Sequence, residues 1–365
     1  MFAEIYKNKT VLITGHTGFK GSWLTTWLLK LGANVVGVSN EIPTNPSMFK
    51  VLNIDKKIKH VLADVRDLEA ITVIIHASKP DFVFHLAAQA IVSTSYSDPV
   101  GTIATNVMGT ANVLEALRKY TLPCIAVFIT SDKCYDNVEW IWGYRETDHL
   151  GGKDVYSGSK GAAELVIKSY FYSFFKKSHA VKLGIGRAGN VIGGGDWAQD
   201  RIVVDCMRAW SEGRNVEIRS PQATRPWQHV LEPLSGYLAL GQALSTRDSL
   251  HGEAFNFGPR AEQNHTVVDL LHDMAKKWGF ERLEDAYIVT DNIPFHEAGL
   301  LKLNCDKALS YLKWESNLQY SETINLLSDW YIAYYNNDSG MFAYTTEQIS
   351  RYERIATENN RVWTK

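Results

Sequence analysis

The chain has 365 residues, with 38 basic and 40 acidic side chains and a formal net charge of −2 at pH 7. This balance provides no broad cationic surface, so it argues against nucleic acid or an anionic membrane as a partner, and any anion site has to be local. The four cysteines lack the spacing of a zinc site or of a disulfide framework, which fits a reducing cytoplasm. No apolar run approaches the roughly 18 residues of a membrane-spanning helix. We therefore expect a soluble, cytoplasmic protein with a large buried core and no metal site.

Short apolar runs alternate with longer helical patterns through the first half of the chain, which predicts repeated βαβ units and a parallel sheet. The predicted strands cover residues 10–14, 34–39, 60–63, 81–86, 125–130 and 181–187. The predicted helices cover residues 21–30, 99–120 and 157–177. These elements indicate an α/β fold of the Rossmann type, which is a doubly wound parallel sheet with helices on both faces.

The second half is less regular, because three consecutive glycines at 193–195 interrupt the alternation. Residues 215–219 and 253–257 are predicted as short strands, and residues 267–278, 307–312 and 320–336 as helices. This pattern predicts a smaller C-terminal domain of mixed α/β structure. We expect residues 1–186 and about 227–260 in the large domain, about 187–226 and 261–345 in the small domain, and a C-terminal tail at 346–365.

A glycine-rich turn follows the first predicted strand and leads into the first helix. It consists of Gly15, His16, Thr17, Gly18, Phe19, Lys20 and Gly21. Glycines allow a tight turn that a pyrophosphate can approach closely, and the N–H groups at the start of the helix can meet its charge. A plain strand-to-helix turn is the alternative, but strand, turn and helix arrive in the order that a dinucleotide site requires. The turn therefore predicts a bound nicotinamide dinucleotide.

The end of the second predicted strand should lie against the adenosine ribose, where an acidic residue is usual. Here the strand ends in Ser39 and Asn40, either of which could hydrogen-bond a ribose hydroxyl. No arginine or lysine stands at this strand end for a 2′-phosphate, although Lys20 in the turn is an alternative. We therefore expect NAD rather than NADP. Asp64, which precedes Val65, is predicted to accept from the adenine amino group or to be a plain surface carboxylate.

Tyr156 and Lys160 lie one helical turn apart and so share a helix face. A nearby ammonium stabilises a phenolate and makes the tyrosine a usable base for a sugar hydroxyl. This spacing is common by chance. It gains weight because the fifth predicted strand ends in Thr130, Ser131, Asp132 and Lys133, where a hydroxyl can hold the same substrate oxygen.

With two further motifs, at 85–89 and 106–110, the chain resembles the extended short-chain dehydrogenase/reductase family. Within it, the blocks at 15–23, 131–135, 140–146, 187–197 and 225–233 look like those of the CDP-glucose 4,6-dehydratases, and the chain beyond Asn264 carries the resemblance less clearly. The resemblance implies bound NAD in the large domain and a nucleotide sugar in the small one. It also adds Leu86, Ala87, Ala88, Gln89, Asn106 and Thr130 to the cofactor-binding residues.

The activity that the resemblance implies is conversion of CDP-glucose to CDP-4-keto-6-deoxyglucose, with internal hydride transfer from C4 to C6 and loss of water. Such chemistry needs a base at C4, a base at C5 and an acid for the 6-hydroxyl, and the chain offers Tyr156, Lys133 and Asp132 respectively. Related dehydratases carry glutamate where Lys133 stands. Three alternatives stay open: Lys133 pairs with Asp132 and positions it, Asp132 is a turn-capping residue, and Ser131 is only a turn hydroxyl.

The residues expected to bind the substrate come both before and after the catalytic helix in the sequence. They are Gln89, Ser131, Arg187, Asn190, Gly195, Trp197, Arg201, Arg225, His229 and His296. Arg187, Asn190 and Arg225 are predicted to bind the diphosphate, since guanidinium groups match phosphate oxygens. A surface salt bridge is the alternative for Arg187, and a core position for Trp197. The aromatic loop at 140–145 is predicted to cover the sugar, while the family's usual arginine near Ser93 is missing, which leaves the hexose open.

Other functions also fit the motifs. A 4-epimerase, a 4-oxidase or a dehydratase for another nucleotide sugar would use Tyr156, and a non-catalytic NAD-binding scaffold would use only the glycine turn. Small residues on the predicted helices at 99–120 and 157–177 suggest subunit contacts, so we expect a homodimer or homotetramer. The expected role is deoxy sugar synthesis for surface polysaccharide such as the O-antigen of lipopolysaccharide.

Overall fold

The computed structural model describes residues 1–177, 179–260, 263, 265–290, 301–336 and 339–365, apart from the side chain of Arg225. Its strands are β1 (Thr10–Thr14), β2 (Asn34–Ser39), β3 (Lys59–Leu62), β4 (Phe82–His85), β5 (Cys124–Ile129), β6 (Val181–Ala188), β7 (Val216–Ile218), β8 (Thr224–Arg225), β9 (Ala254–Phe257), β10 (His265–Thr266) and β11 (Tyr287–Val289). Each predicted strand is present, with ends that differ by at most one residue.

The main sheet has seven parallel strands in the order β3-β2-β1-β4-β5-β6-β9. The order runs outwards in both directions from β1 and β4. In such sheets, ligands bind beyond the carboxyl ends of the strands where the order reverses. The glycine turn follows β1 directly, so the topology places it at this position.

The helices are α1 (Phe19–Lys30), α2 (Met48–Val51), α3 (Leu68–Ser78), α4 (Val92–Ser97), α5 (Pro99–Ile103), α6 (Gly109–Arg118), α7 (Val155–Tyr170), α8 (Ile202–Ser211), α9 (Leu231–Thr246), α10 (Val267–Trp278), α11 (Tyr320–Tyr335) and α12 (Met341–Glu358). Single π-helical turns occur at Ala104–Met108, Phe171–Phe175 and Ala308–Leu312. The predicted helix at 99–120 is thus α5 and α6 joined by a π turn, and the one at 307–312 is a π turn alone.

Hydrophobic cores lie on both faces of the sheet, because successive side chains of a strand point to opposite faces. In β1, Val11 and Ile13 pack into the core that contains side chains of α1 and α9. Leu12, between them, packs into the core that contains side chains of α3, α6 and α7. The prediction of a doubly wound α/β sheet is confirmed.

The later part of the chain adds a two-stranded parallel pair, β7 with β11, and a two-stranded antiparallel pair, β8 with β10. Between these segments the chain returns to the main sheet through α9 and β9. The division into two domains agrees with this path but stays a prediction.

The segment at 346–365, predicted as a tail, is largely helix α12 and is packed against α1. Tyr352 is completely buried, and Glu353 accepts a hydrogen bond of 2.9 Å from Nε1 of Trp27 and pairs with Lys30. This segment therefore supports the helix that begins at the glycine turn. None of the described helices is both long enough and apolar enough to cross a bilayer.

Candidate active site

The glycine turn is shaped by main-chain contacts too close for side chains. Gly15 has a φ of +77°, and a β-carbon there would lie 2.7 Å from the main-chain nitrogen of Ala87. A β-carbon on Gly21 would lie 2.1 Å from the carbonyl oxygen of Gly15. Since Gly18 has no side chain to cap α1, the first N–H groups of that helix can meet an anion. These features fit a dinucleotide whose pyrophosphate lies against bare backbone.

His16 links the turn to the end of β2. Its Nδ1 lies 3.0 Å from Oγ of Ser39, and its Nε2 lies 2.7 Å from Nδ1 of His60. Burial lowers the pKa of His16 to about 4, so the ring is neutral near neutral pH. Oγ1 of Thr17 donates to the carbonyl of Glu41 at 2.7 Å. The turn and the end of β2 are therefore fixed to each other.

A cation also lies at the edge of this region, beyond β3 rather than at the end of β2. Arg66, in the loop after β3, donates to both oxygens of Asp64, with NH2 2.6 Å from Oδ2. Arg66 lowers the pKa of Asp64, which also hydrogen-bonds Asn40. Asp64 is therefore paired with Arg66 but remains partly exposed, and its contact with an adenine amino group stays a prediction, while neighbouring Val65 is buried.

Asn106 connects the loop after β4 to the catalytic helix. Its amide receives a hydrogen bond from the main-chain nitrogen of Gln89 (2.8 Å) and donates to the carbonyl of Gln89 and to Oγ of Ser159. Oγ of Ser159 in turn donates to the carbonyl of Tyr156 at 2.7 Å. Asn106 lies in a π turn, which is a common feature of functional sites. It thus fixes the loop with Leu86, Ala87 and Ala88 against α7.

The side chain of Gln89 is used within its own loop. Its amide nitrogen donates to Oγ1 of Thr102 at 2.9 Å, and its oxygen accepts from the main-chain nitrogen of Ile91. Gln89 therefore orders the loop, and its amide is already engaged on both sides. A direct contact of this side chain with substrate stays a prediction.

Tyr156 and Lys160, on α7, meet the turn that follows β5. Ser131 hydrogen-bonds Tyr156, and Nζ of Lys160 lies 5.6 Å from the centre of the Tyr156 ring. Asp154 caps α7 by accepting from the main-chain nitrogen of Ser157 at 2.9 Å. The predicted catalytic residues are thus brought together at the carboxyl end of β5.

Charges in the site act on the tyrosine differently from the expectation. Burial and the Asp132 carboxylate raise the pKa of Tyr156 to about 12, while the hydrogen bond to Ser131 acts in the opposite direction. Burial and the charge of Lys20 lower the pKa of Lys160 to about 8. The sequence predicted a lowered tyrosine pKa; these protein groups alone do not produce it, since burial outweighs the neighbouring cations.

The two residues assigned to the elimination have different surroundings. Asp132 is buried and accepts from Oγ of Ser131 at 2.9 Å. Lys133 is partly buried, and among the described residues its Nζ has neither a hydrogen-bond nor an ion-pair partner. The described structure therefore has no Lys133–Asp132 pair, which was the alternative interpretation. The Ser131 hydroxyl also accepts from the main-chain nitrogen of Lys133, as a turn hydroxyl does.

Lys20 of the glycine turn interacts electrostatically with charged residues of the catalytic site. Burial and the charge of Arg201 lower its pKa to about 8, while Asp132 and Asp196 act in the opposite direction. Arg201 itself pairs with Asp196 at 2.5 Å and remains about one third exposed. Lys20 and Arg201 thus bring two cations close to the catalytic residues.

Arg187 is not placed to bind a diphosphate, contrary to the prediction. Its side chain is only 4% exposed, and it pairs with Glu164 through two hydrogen bonds of 2.6 and 2.8 Å. NH1 donates to the hydroxyl of Tyr135 at 2.7 Å and to the carbonyl of Glu146 at 3.2 Å. Since its donors are used inside the protein, Arg187 is an internal residue.

Trp197 and His229 are also internal, contrary to their assignment to the substrate. Trp197 packs edge-on against Trp330 and Tyr334 and is almost fully buried. His229 is fully buried against the ring of Trp23, and burial lowers its pKa to about 3. Both side chains fill the core behind the glycine segment at 193–195.

Gly195 and Asn190 lie in the segment after β6. Gly195 has a φ of +84° and packs against Met48, while Asn190 is partly exposed and follows Gly189, whose added β-carbon would lie 3.0 Å from Asp132. The main chain of Arg225 pairs with His265, but its side chain is outside the description. His296 also lies outside the described residues.

The aromatic loop has an exposed tip and a buried base. Trp140, Ile141 and Trp142 are exposed, whereas Tyr144 is buried and stacks on Tyr135 with ring centres 5.1 Å apart. The tip is therefore available to cover a ligand, as predicted for 140–145. Within the described chain, no three metal-binding side chains cluster together.

Sequence reasoning missed the residues beneath the catalytic turn. Glu164, Tyr135 and Asn256 form a buried network with Arg187, in which Tyr135 donates to Oδ1 of Asn256 at 2.8 Å. The sequence does indicate that Glu164 lies close to the catalytic residues, because it follows Lys160 by four residues and so shares its helix face. No comparable signal marks Asn256.

Comparisons with known proteins bear on these residues. The family model for GDP-mannose 4,6 dehydratase matches residues 12–327. The chain is 44% identical over 360 residues to CDP-glucose 4,6-dehydratase of Salmonella typhimurium, covering 97% of this chain and 99% of that protein. It is 25% identical over 356 residues to CDP-paratose 2-epimerase of Salmonella typhi, covering 88% and 98% respectively.

Solved structures share the fold. A UDP-glucose 4-epimerase with UDP-glucose from Thermotoga maritima has a TM-score of 0.76 at 23% identity, over 89% of this chain and 99% of that one. A dTDP-glucose 4,6-dehydratase from Streptomyces venezuelae, with NAD and TYD bound, has a TM-score of 0.75 at 18% identity, over 88% and 97%. These matches agree with the doubly wound sheet described above.

Proposed function

The chain belongs to the GDP-mannose 4,6 dehydratase family, and from this premise we propose that it is a nucleotide-sugar 4,6-dehydratase that converts CDP-glucose to CDP-4-keto-6-deoxyglucose. One observation carries this proposal: Ser131 and Asp132, which follow β5, act directly on Tyr156, and Lys133 comes next in the same turn. Oxidation at C4 alone needs one base, whereas dehydration also needs a base at C5 and an acid for the 6-hydroxyl. The 44% identity to the Salmonella typhimurium enzyme supports CDP-glucose as the substrate.

NAD is the proposed cofactor, held by the glycine turn, the end of β2 and the loop after β4. The support is the tight glycine turn, in which a β-carbon on Gly15 or Gly21 would collide with neighbouring main-chain atoms, so that only bare backbone fits there. Bound NAD supplies a hydride acceptor at C4 and returns the hydride at C6. Ser39, Asn40 and Asn106 are proposed to orient it through polar groups, and the neutral His16 adds no charge.

The first proton transfer is assigned to Tyr156, which takes the proton of the 4-hydroxyl while Ser131 holds the same oxygen. Lys160 has a pKa of about 8 and so remains largely protonated near neutral pH. The hydrogen bond from Ser131 and the charge of Arg201 oppose the burial that raises the pKa of Tyr156, and Nζ of Lys160 lies 5.6 Å from the centre of the ring. Tyr156 is therefore proposed to ionise only in the loaded site.

The elimination is assigned to the turn after β5. The 4-keto group acidifies H5, the neutral amine of Lys133 takes that proton and becomes an ammonium, and the protonated carboxyl of Asp132 gives its proton to the departing 6-hydroxyl and becomes a carboxylate, so that one water leaves across C5 and C6. This role is supported by the absence of any ion pair or hydrogen bond to Nζ of Lys133 among the described residues, which leaves the side chain available to the substrate. Asp132 is buried beside Ser131, which holds it in one orientation.

Fewer residues are proposed to bind the substrate than the sequence predicted. Arg201 is proposed to bind the diphosphate, because it is partly exposed and lies near Lys20. Asn190, Gly195, Gln89, Arg225 and His296 stay in the proposal on the sequence argument alone. The exposed tip of the aromatic loop is proposed to cover the sugar.

The proposal is tested by incubating the purified protein with CDP-glucose and, separately, with the UDP-, dTDP- and GDP-linked sugars. A 4-keto-6-deoxy sugar identified by mass and NMR from CDP-glucose is the expected result. A product epimerised at C4, or oxidised at C4 with the 6-hydroxyl intact, would instead assign a 4-epimerase or 4-oxidase. No change in any sugar would assign a non-catalytic NAD-binding scaffold.

A homodimer or homotetramer in the cytoplasm is also part of the proposal, as is a place in deoxy sugar synthesis for surface polysaccharide. Apolar side chains are exposed along α5, the following π turn and α7, among them Val100, Met108 and Leu165. Such faces are usual in subunit interfaces. Light scattering at micromolar concentration should give at least twice the chain mass of 41.1 kDa, and a monomer would contradict this.

A further inference from the structure

The catalytic turn at 131–134 is held at both ends by one buried ion pair. On one side, Oγ1 of Thr130 donates to Oε1 of Glu164 at 2.5 Å. On the other side, the hydroxyl of Tyr135 accepts from NH1 of Arg187 at 2.7 Å. Glu164 and Arg187 bind each other through two parallel hydrogen bonds. The residues that flank Ser131, Asp132 and Lys133 thus share one anchor.

The anchor belongs to the elements that carry the other catalytic groups. Glu164 follows Lys160 by four residues and Tyr156 by eight, so the three side chains lie along one face of α7. Arg187 is near the end of β6, the strand next to β5. The ion pair therefore connects the catalytic turn to the helix that presents Tyr156.

Every group of this connection is enclosed. Glu164 and Arg187 are 2% and 3% exposed, and the hydroxyl of Tyr135 donates onward to the fully buried Asn256 at 2.8 Å. Hydrogen bonds in such surroundings are stronger than in water, and a fully satisfied buried network makes its members rigid. The carboxylate and guanidinium also have the two-pronged geometry that fixes orientation.

We propose that Arg187 and Glu164 are a positioning pair that aligns Asp132 and Lys133 with Tyr156 for the elimination step. This inference rests on the proposed function. Oxidation at C4 uses Tyr156 and Lys160, which α7 carries, and only Ser131 from the turn, whereas elimination uses both Asp132 and Lys133, which only the turn carries. A loosened turn therefore slows elimination more than oxidation, and a misplacement of about 1 Å can cost about a hundredfold in rate.

Tyr135→Phe tests the proposal with a small change. It removes the hydroxyl that accepts from Arg187 and leaves the ring stacked on Tyr144. Tyr6→Phe is the matched control, because Tyr6 is equally buried and donates a 2.6 Å hydrogen bond to the carbonyl of Leu238, away from the carboxyl ends of the strands.

The readout is the product ratio in quenched single turnovers with CDP-glucose. In Tyr135→Phe, the ratio of 4-keto-6-deoxy sugar to 4-keto sugar that keeps its 6-hydroxyl should fall at least about tenfold. The ratio should be unchanged in Tyr6→Phe. A purely structural role would lower the melting temperature and slow both steps in proportion, and that result would overturn the proposal.

Arg187→Lys provides a second variant, since it keeps the charge next to Glu164 but loses the forked geometry. We expect the same fall in the product ratio with KM unchanged. A raised KM with an unchanged ratio would instead assign Arg187 to the diphosphate and overturn the positioning role.

A crystal structure of the Tyr135→Phe variant tests the proposal without any substrate. The proposal expects the main chain of 131–134 to shift relative to Tyr156, and an unshifted turn would overturn it. If the wild-type protein forms no 4-keto-6-deoxy sugar, the proposed function fails, while this structural comparison still decides whether the pair holds the turn.

Discussion

The glycine turn at 15–21 is shaped by main-chain contacts, both within the turn and with Ala87, whereas the catalytic turn at 131–134 is held by side chains from distant parts of the chain. Gly21 packs against the carbonyl of Gly15, six residues away. The catalytic turn depends on Glu164, Arg187 and Asn256. We therefore expect the glycine turn to tolerate almost no added side-chain volume, and the catalytic turn to be disturbed by the loss of a single polar group.

The largest expected effect is in the catalytic turn. Lys133→Met should slow product formation by about 10²–10⁴-fold, which is the usual contribution of a proton-transfer group. Exchange of H5 with solvent deuterium, followed by NMR, should be lost in parallel. Folding should be unaffected, because no described residue pairs with Nζ of Lys133.

Lys276→Met is the control for this change, since Lys276 is exposed on α10 and outside the site. Its rate should match that of the wild type. Intact H5 exchange in Lys133→Met would remove Lys133 from the role of C5 base and would weaken the contrast between the two turns.

The second prediction concerns volume in the glycine turn. The β-carbon of Gly21→Ala would lie 2.1 Å from a main-chain oxygen, so the turn has to shift, at a cost of about 1–3 kcal/mol or more. The melting temperature and the affinity for NAD, measured by calorimetry, should both fall. In Gly18→Ala the nearest atom lies at 3.4 Å, so the loss of stability should be much smaller. Equal losses would contradict a turn set by main-chain contact.

The third prediction joins the two regions. The charge of Lys20 helps to lower the pKa of Lys160 to about 8, so the enzyme should lose activity as the pH rises through about 8 and Lys160 loses its proton. Lys20→Met removes the neighbouring positive charge and should move this limb of the pH profile upwards, by up to about one unit. If this limb of the plot of kcat against pH does not move in Lys20→Met, the glycine turn and Lys160 are electrostatically independent.

The contrast also explains what the sequence revealed. The glycine turn and the seven strands of the main sheet were predicted, because main-chain requirements leave a local signature in glycine spacing and apolar runs, whereas the short strands β8, β10 and β11 were not predicted. Helix α9 was missed because nearly all its residues are buried, so no polar face marks its period. Helix α12 could have been found, since Thr345, Ile349, Tyr352 and Ala356 repeat at helical spacing and are buried.

The misassigned side chains share one cause. Arg187 was predicted to bind phosphate because a guanidinium favours that ligand, yet its partner Glu164 comes from another element. Burial of Trp197 and His229 likewise depends on distant residues such as Trp330 and Trp23. Residue type shows what a side chain can bind, but whether it reaches the site depends on tertiary packing.

The smallest expected effect tests whether the glycine turn also depends on a hydrogen bond to a distant part of the chain. Trp27, on the helix that follows the turn, donates to Glu353 of α12, and Trp27→Phe removes this hydrogen bond while keeping an aromatic ring. The free energy of unfolding, from denaturant titration, should fall by about 1–3 kcal/mol, since the acceptor is charged. Trp363→Phe is the matched control, because Nε1 of Trp363 has no partner among the described residues. Because the contacts of Gly15 and Gly21 are untouched, NAD affinity should be unchanged in both variants, and a weakened affinity in Trp27→Phe would show that α12 helps to shape the glycine turn.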